Sequence, residues 1–298
     1  MLPQGRKRLT ECLQSLSPDA EPDPVEACRF GPAGEFTVRL AAGIEDRLRA
    51  WALAYRVYLE KEYARPNDQR LWYSLHDALP EALTVMIEKN SELIGAVTVV
   101  PDSPLGLPAD EIFPAETAAM RRGGSRLAEA VSLVQENLSE RAGLLVVAKL
   151  CELTCLVAQR LLGASDLVIT VNPRHEDYYR RMMLFGRWGE EAACTKVSGA
   201  PAVFLALNFA DMNAHVAGAA MADAPRTLYR RFMDERTARA TAAELRRQIR
   251  PLEEAVLQRY FIERRPLLTA ASIGARRYFE GRYPTCLVGE ATISTSTA

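Results

Sequence analysis

An α/β fold, a mixed sheet flanked by helices with a helical extension at the C-terminal end, is predicted by three observations. Short apolar runs of strand length alternate with longer stretches whose apolar residues recur at helical spacing. Two pairs of runs are joined by turn-forming residues, Lys89-Asn90-Ser91 and Ser198-Gly199-Ala200-Pro201, which puts antiparallel pairs into the sheet. After Met212 the strand-like runs stop and helical spacing alone remains.

Residues 1–34, rich in Pro and acid around Asp19 to Pro24, read as a loose leader. Phe36-Thr37-Val38-Arg39-Leu40-Ala41 alternates between two faces and reads as the first strand. A helix follows over 44–63, its apolar stripe formed by Leu48, Trp51, Ala52, Tyr55, Tyr58 and Leu59. Pro66, Asn67 and Asp68 mark 64–79 as a loop. Strands over 82–87 and 93–100 form a hairpin, and a Pro/Ser/Gly loop occupies 101–108. A strand over 127–134, a buried helix over 143–162 and a short apolar strand over 166–171 come next. A helix over 176–185 leads to two closing strands near 192–197 and 202–208. This core, 35–211, is followed by an extension, 212–298, with helices over 225–249, from Pro251, and over 270–279.

The chain of 298 residues holds 37 basic and 38 acidic side chains, a net charge of −1. That balance argues against nucleic-acid binding, which needs a basic footprint. The charge is unevenly divided: residues 222–282 carry 14 Arg against 8 acids, and residues 1–221 carry 23 basic against 29 acidic groups. Of the basic residues 32 are Arg, which holds anions bidentately, so the C-terminal end is suited to an acidic partner; a set of solvated helix faces accounts for it equally well. Arg6, Lys7 and Arg8 are not followed by the apolar stretch of a signal peptide, and eighteen uninterrupted apolar residues occur nowhere. Six Cys without zinc-type spacing and only three His argue against a metal centre and fit reduced core thiols of a cytoplasmic protein.

The segment 171–185 carries the most chemistry. A buried strand ends at Val171, Asn172 can cap the helix that follows, and Pro173 suits its first turn. Tyr179 falls seven residues after Asn172, about two turns along. Arg174 and His175 stand at the mouth between strand and helix, where ligands approach open sheets. Glu129 lies within the otherwise apolar 127–133, and a carboxylate there is costly unless it is paired or works. Facing solvent or pairing with Arg126 is the alternative.

A strand ending in Asn with a Tyr seven residues later resembles the GNAT superfamily of N-acetyltransferases. There the Tyr hydroxyl faces the thioester sulfur as general acid. The closer resemblance is to long-chain N-acyl amino acid synthases, N-acyl-tyrosine synthases among them, and to the related acyl-homoserine-lactone synthases. It is carried by Val171-Asn172-Pro173-Arg174-His175, Tyr179-Arg180-Arg181, Ser198-Gly199-Ala200-Pro201-Ala202-Val203 and Arg126-Leu127-Ala128-Glu129. The loop from Pro101 to Pro108 and the helical Tyr55-Arg56-Val57-Tyr58 add to it, so that the likeness spans about residues 36–209.

The resemblance implies a GNAT-like, mostly antiparallel sheet and a set of roles. Glu129 would bind or deprotonate the attacking amine, and Tyr179 would protonate the departing thiol. Backbone N–H groups of Val131 or Ser132 would stabilise the oxyanion; the family has Glu-Val-Ser where this chain has Glu129-Ala130-Val131-Ser132, so the register is open by one. Arg56 would order the acceptor site with Asp77, or else its stem covers apolar surface; read from the residues alone, Trp72 and Tyr73 are candidates for the aromatic wall of the acceptor or acyl pocket. Arg174 would hold the amino-acid carboxylate or a pantetheine phosphate, although a salt bridge with Asp177 is as good an account of it. His175 suits a capping role as well as a binding one. Met86, Met182 and Met183 are candidates for an acyl tunnel, or ordinary core filling.

Ordinary acetyltransferases cradle the coenzyme A pyrophosphate on a Gly-rich turn at a helix N-terminus. Here 135–143 offers only Arg141 and Gly143 among two acids, a poor cradle. The resemblance implies an acyl-phosphopantetheine on an acyl-carrier protein, or else an acyl-CoA, as donor, used as substrate with no further cofactor, and a carrier-bound arm with its single phosphate needs less of that cradle. Carrier proteins are acidic, and Arg180, Arg181 and Arg187 with the Arg-rich tail are the candidate docking surface. The activity expected is transfer of a long acyl chain to the α-amine of an amino acid by direct attack, since no Ser/His/Asp or Cys/His set suggests a covalent intermediate. Membrane contact is left to the lipid-like product. The rivals are an acyl-homoserine-lactone synthase using S-adenosylmethionine, a non-catalytic acyl-binding module and a conventional acetyl-CoA acetyltransferase.

Overall fold

Eight strands pair into one sheet, ordered β1-β2-β3-β4-β5-β6-β8-β7, in a computed structural model that describes residues 23–219 and 235–284. They are β1 (Arg29–Phe30), β2 (Phe36–Leu40), β3 (Leu83–Lys89), β4 (Glu92–Pro101), β5 (Leu127–Gln135), β6 (Asp166–Val171), β7 (Gly186–Cys194) and β8 (Ala200–Asn208). All neighbours are antiparallel except β5 and β6, which run parallel. The helix between those two strands is the crossover that a parallel pair requires.

The helices are α1 (Pro24–Ala27), α2 (Ile44–Glu60), α3 (Pro114–Arg122), α4 (Glu140–Leu156), α5 (Glu176–Met183), α6 (Phe209–Ala219), α7 (Glu235–Gln248), α8 (Glu254–Leu257) and α9 (Ile273–Glu280). Strand periodicity divides the core into two faces. Leu167, Ile169, Val203, Leu205 and Leu207 face one way and pack with Val146, Leu150 and Leu153 of α4, Met183 of α5 and Leu245 of α7. Val168, Ala202 and Phe204 face the other way, toward Trp51 of α2 and the C-terminal Leu257, Phe261 and Phe279. The described C-terminal helices therefore share their apolar core with the sheet. Phe204, Phe261 and Phe279 are fully buried there, and truncating such a ring typically costs about 3–5 kcal/mol.

With a one-turn π extension to Leu161, α4 forms a run of 22 residues, long and apolar enough by length and composition to cross a membrane. Here its inner face lies on the sheet instead. Gly95 permits the close approach, because a Cβ there would stand 2.9 Å from Val146 Cγ1.

Four departures from the sequence reading have physical causes. The leader gives way to structure by Pro24, where α1 and β1 extend the sheet through Arg29↔Thr37 pairing; residues 1–22 lie outside the described residues. A helix, α3, fills part of 109–126, where no element was expected. The seventh strand begins at Gly186 and not near Ala192, because an edge strand needs no apolar alternation and its first six residues are exposed. The helix expected from Pro251 begins at Glu254. Residues 220–234, which hold the start of the helix expected over 225–249, lie outside the described residues, as do Cys12 and Cys286. Cys28, Cys151, Cys155 and Cys194 are buried free thiols.

Candidate active site

A break in the central sheet creates the site. The parallel pairing of β5 and β6 ends at Ala130↔Ile169, yet β6 continues to Val171 and β5 to Gln135. Beyond that point the two strands line a cavity of about 1390 Å³. A bulge in β5 accompanies the parting: Ala96 stands opposite Val134 and Thr98 opposite Val131, so β5 carries one residue more than β4. The extra residue is absorbed at Ser132, whose φ of +53° is left-handed. A non-glycine residue there stores on the order of 1 kcal/mol of strain, a cost found most often at functional sites. In the pairing with β4, Val131 stands in the ladder and Ser132 is bulged out. Both line the cavity. The Tyr58 side chain of α2 hydrogen-bonds that of Ser132, and burial pushes the phenol up to about 12.

Glu129 sits just before the parting, 1% exposed, with its carboxylate in the cavity wall. Ala109 N–H donates to Oε2 at 2.7 Å, and the Thr170 hydroxyl lies 3.5 Å from Oε1. The first contact is positioned from a distance. Arg121 of α3 clamps Asp102 at 2.6 and 2.8 Å and Asp110 at 3.0 and 2.8 Å, which holds the turn Pro108–Glu111 against β5. Desolvation raises the Glu129 pKa to about 8, against the opposing Ala109 hydrogen bond and Lys196 charge. Arg126 is not its partner, since that guanidinium donates to Gly163 O at 2.9 Å.

Asn172 accepts from Arg174 N–H at 3.1 Å and so starts the turn Pro173–His175 that feeds α5. Tyr179 follows on α5 and lines the cavity, with ring centroids 5.4 Å from Tyr178 and 5.8 Å from Phe185. Burial, with Cys151 and Tyr178 close by, drives its pKa far above the usual phenol value. Arg174 donates to Tyr63 Oη at 2.9 Å and to His175 Nε2 at 3.1 Å. Asp177 does not claim it, being paired with Arg181 at 3.2 Å. Lys61 stands near enough that partial burial and then Arg174 lower its pKa; partial burial, then Arg174 and Lys61, lower that of His175. Lys61, Tyr63, Arg174 and His175 form an electropositive mouth to the cavity.

Several expected sites fall elsewhere. Arg56 and Asp77 do not meet: Arg56 is exposed and paired with Glu136, whereas Asp77 is buried and accepts from Trp51 Nε1 at 3.1 Å and from Ser74 N at 2.8 Å. The basic partner of that turn is Arg47, 4% exposed, which donates to Asp77 O at 3.2 Å. An arginine on the Trp51 stripe of α2 was the overlooked signal. Trp72 lines the cavity, 5.0 Å ring to ring from Tyr58. Of the three methionines, Met183 lines it; Met86 is fully buried elsewhere in the sheet and Met182 packs at the edge of the core. Arg180 and Arg187 both pair with Glu176, so with the Arg181 pair much of that charge is already neutralised. Two further lining residues carry no sequence motif, His76 and Lys196. Lys196 Nζ binds Glu111 at 2.9 Å and the Pro108 carbonyl at 3.3 Å.

The family model of the N-acyl amino acid synthase FeeM matches residues 49–208, more than half of the chain and all of the cavity's central strands. The chain belongs to the FeeM family. It is an acyltransferase with a GNAT-like fold, as the sequence resemblance implied. FeeM itself, an N-acyl amino acid synthase from uncultured soil microbes, is 25% identical over 67% of this chain and 98% of its own, with a TM-score of 0.53. An acyl-CoA N-acyltransferase from Pseudomonas aeruginosa is 14% identical over 57% of this chain and 97% of its own, with a TM-score of 0.41. The CoA-dependent acyl-homoserine lactone synthase MesI is 15% identical over 68% and 94%, with a TM-score of 0.42. No match was found among curated proteins.

Proposed function

We propose that this FeeM-family enzyme moves a long acyl chain from a carrier-protein thioester to the α-amine of an amino acid. The observation that carries the reading is Glu129, a buried carboxylate poised at about 8 where the central strands part. A carboxyl raised this far toward the range of an amine exchanges a proton with it at much less cost than an ordinary carboxylate would. The amine nitrogen attacks the thioester carbonyl, the C–N bond forms, and Glu129 takes the amine proton. Backbone N–H groups at the Val131–Ser132 bulge hold the oxyanion. The C–S bond then breaks and the sulfur receives the proton of the Tyr179 hydroxyl, leaving an amide and a free thiol. Tyr179 regains its proton from Glu129 or solvent between turnovers.

Supporting a long chain is the size of the cavity, which exceeds the roughly 300–1,000 Å³ of ordinary ligand pockets. Supporting a phosphopantetheine donor is the basic mouth made by Lys61 and Arg174, which suits a single phosphate. The helix start beyond β5 is less suited to a pyrophosphate: Gly143 lies inside α4, where a Cβ would stand 3.0 Å from Gln135 Nε2. Mass spectrometry of lipid extracts from cells with and without the full chain tests the reading. New long-chain acyl amino acids are expected; acyl lactones in their place, or no new lipid from the folded protein, would overturn it.

A further inference from the structure

One wall of the cavity lies outside the stretch that the family model matches. Arg265, Leu267, Ala271, Ser272 and Ala275 line the cavity from the C-terminal helices, well beyond residue 208 where the match ends. The wall is built into the core. Leu268 and Phe279 are fully buried, Leu268 N–H donates to Phe261 O at 2.9 Å, and Ser272 Oγ accepts from Ala275 N–H at 3.2 Å.

Arg265 carries the charge of that wall. Its guanidinium lies 4.8 Å from the centroid of the Tyr73 ring, and Nη1 donates to Tyr73 O at 2.8 Å. These contacts fix the charged head, and not only the stem, at Trp72-Tyr73-Ser74, and all three of those residues line the cavity. Arg265 is half-buried, and among the described residues no carboxylate pairs with it. Asp110, Glu111 and Asp77, which share the cavity, are held by Arg121, by Lys196 and by Trp51 with Ser74. The bond to Tyr73 uses one of five N–H donors, and a planar fork with donors to spare fits a carboxylate.

The two faces of the sheet decide which substrate meets this arginine. Along β5, Leu127 and Val131 pack into the cluster that holds Trp51, Leu107 and Phe261, so Glu129 between them projects to the same face. Ala109, whose N–H bonds Glu129, belongs to that cluster, and so do Leu267 and Leu268. Tyr179 packs with Phe185 and Leu150 on the other face. An amine that gives its proton to Glu129, while the thiol departs beside Tyr179, therefore approaches from the side of the C-terminal wall.

We infer that Arg265 binds the α-carboxylate of the acceptor amino acid, so that a residue outside the family's matched stretch restricts the enzyme to carboxylate-bearing amines. The inference rests on the N-acyl amino acid synthase reading and deepens it by naming the group that holds the acceptor.

The full chain is assayed with one long-chain acyl thioester and with glycine, leucine, phenylalanine and tyrosine, each beside its carboxamide, which keeps the amine and side chain and removes the charge. The best-used acid is expected to lead its amide by about tenfold or more in kcat/KM, as a charge-assisted bidentate contact warrants. Arg265→Gln, which retains a donor for Tyr73 O but no charge, is expected to bring that ratio to near one through a rise in KM for the acid. Arg265→Lys, charged but without the fork, is expected to keep part of it. Equal use of acid and amide by the wild type overturns the inference and leaves acyl transfer standing. So does an Arg265→Gln enzyme that loses acid and amide in proportion, or one whose KM rises for the acyl donor and not for the acid. Absence of product with every acceptor, acid or amide, overturns the synthase reading, and this inference with it.

Discussion

Replacing Glu129 by Gln should cripple catalysis and stabilise the fold, and both effects follow from the same burial. In the native chain Glu129 keeps its proton up to about pH 8, against 4.5 as the ordinary value. Between those values the native state binds a proton that the unfolded chain does not, so this carboxyl makes stability fall as pH rises. At 1.36 kcal/mol per pH unit the cost is under about 1 kcal/mol at pH 5, roughly 3 at pH 7, and levels near 5 above pH 8. Gln has no ionised form and escapes it. Chemical unfolding of wild type and Glu129→Gln at pH 5, 7 and 9 should therefore show a stability gain that widens with pH. Acyl transfer should fall by about 10²–10⁴ without the base, and the rise of kcat/KM toward a plateau above pH 8 should lose the inflection that belongs to Glu129. A variant with near-normal turnover, or a gain that stays flat with pH, would refute the argument.

Three further outcomes follow from the geometry. Tyr179→Phe keeps the packing on Tyr178 and Phe185, so circular dichroism and Tm should change little while acyl transfer falls by about 10²-fold or more. Asp77→Ala orphans Trp51 Nε1–H and Ser74 N–H while the Arg47 bond to the residue 77 carbonyl survives, so a loss of about 1–3 kcal/mol should be visible in denaturant unfolding; Arg56→Ala, at an exposed pair, should cost about 1 kcal/mol at most and leave transfer unchanged. Lys61→Ala with Arg174→Ala should raise KM for a carrier-bound acyl donor severalfold, and added salt should do the same to the wild type; a salt-insensitive KM would remove the mouth from donor binding.

The sheet was legible wherever burial on both faces writes a continuous apolar run, as in Asp166–Val171, whose limits were read to the residue. Glu129 was legible for the opposite reason, as a charge inside such a run. What stayed hidden depends on tertiary contact. Gly186–Glu191 looks like a loop because an edge strand hides neither of its faces. Lys196 sits in a turn with ordinary local sequence, and only the packing of Pro108–Glu111 on β5 brings its charge near Glu129. The expected meeting of Arg56 with Asp77 does not occur; it is Arg47 that reaches this turn, through the Asp77 backbone carbonyl. Arg47 lies one turn before Trp51 and points inward, whereas Arg56 falls outside the stripe.

The membrane-length apolarity of α4 has a consequence for biosynthesis. A 22-residue helix with so apolar a window exposes surface prone to aggregation as it leaves the ribosome, until something covers it. In this chain the covering surface comes first: β2 through β5 all precede α4, and Val146 and Leu150 dock on residues of β3 and β4 already synthesised. Order along the chain thus acts as a safeguard, placing the receptor surface ahead of the segment that most needs one. A circular permutant beginning at Glu140 would keep every native contact except the broken bond and lose that protection.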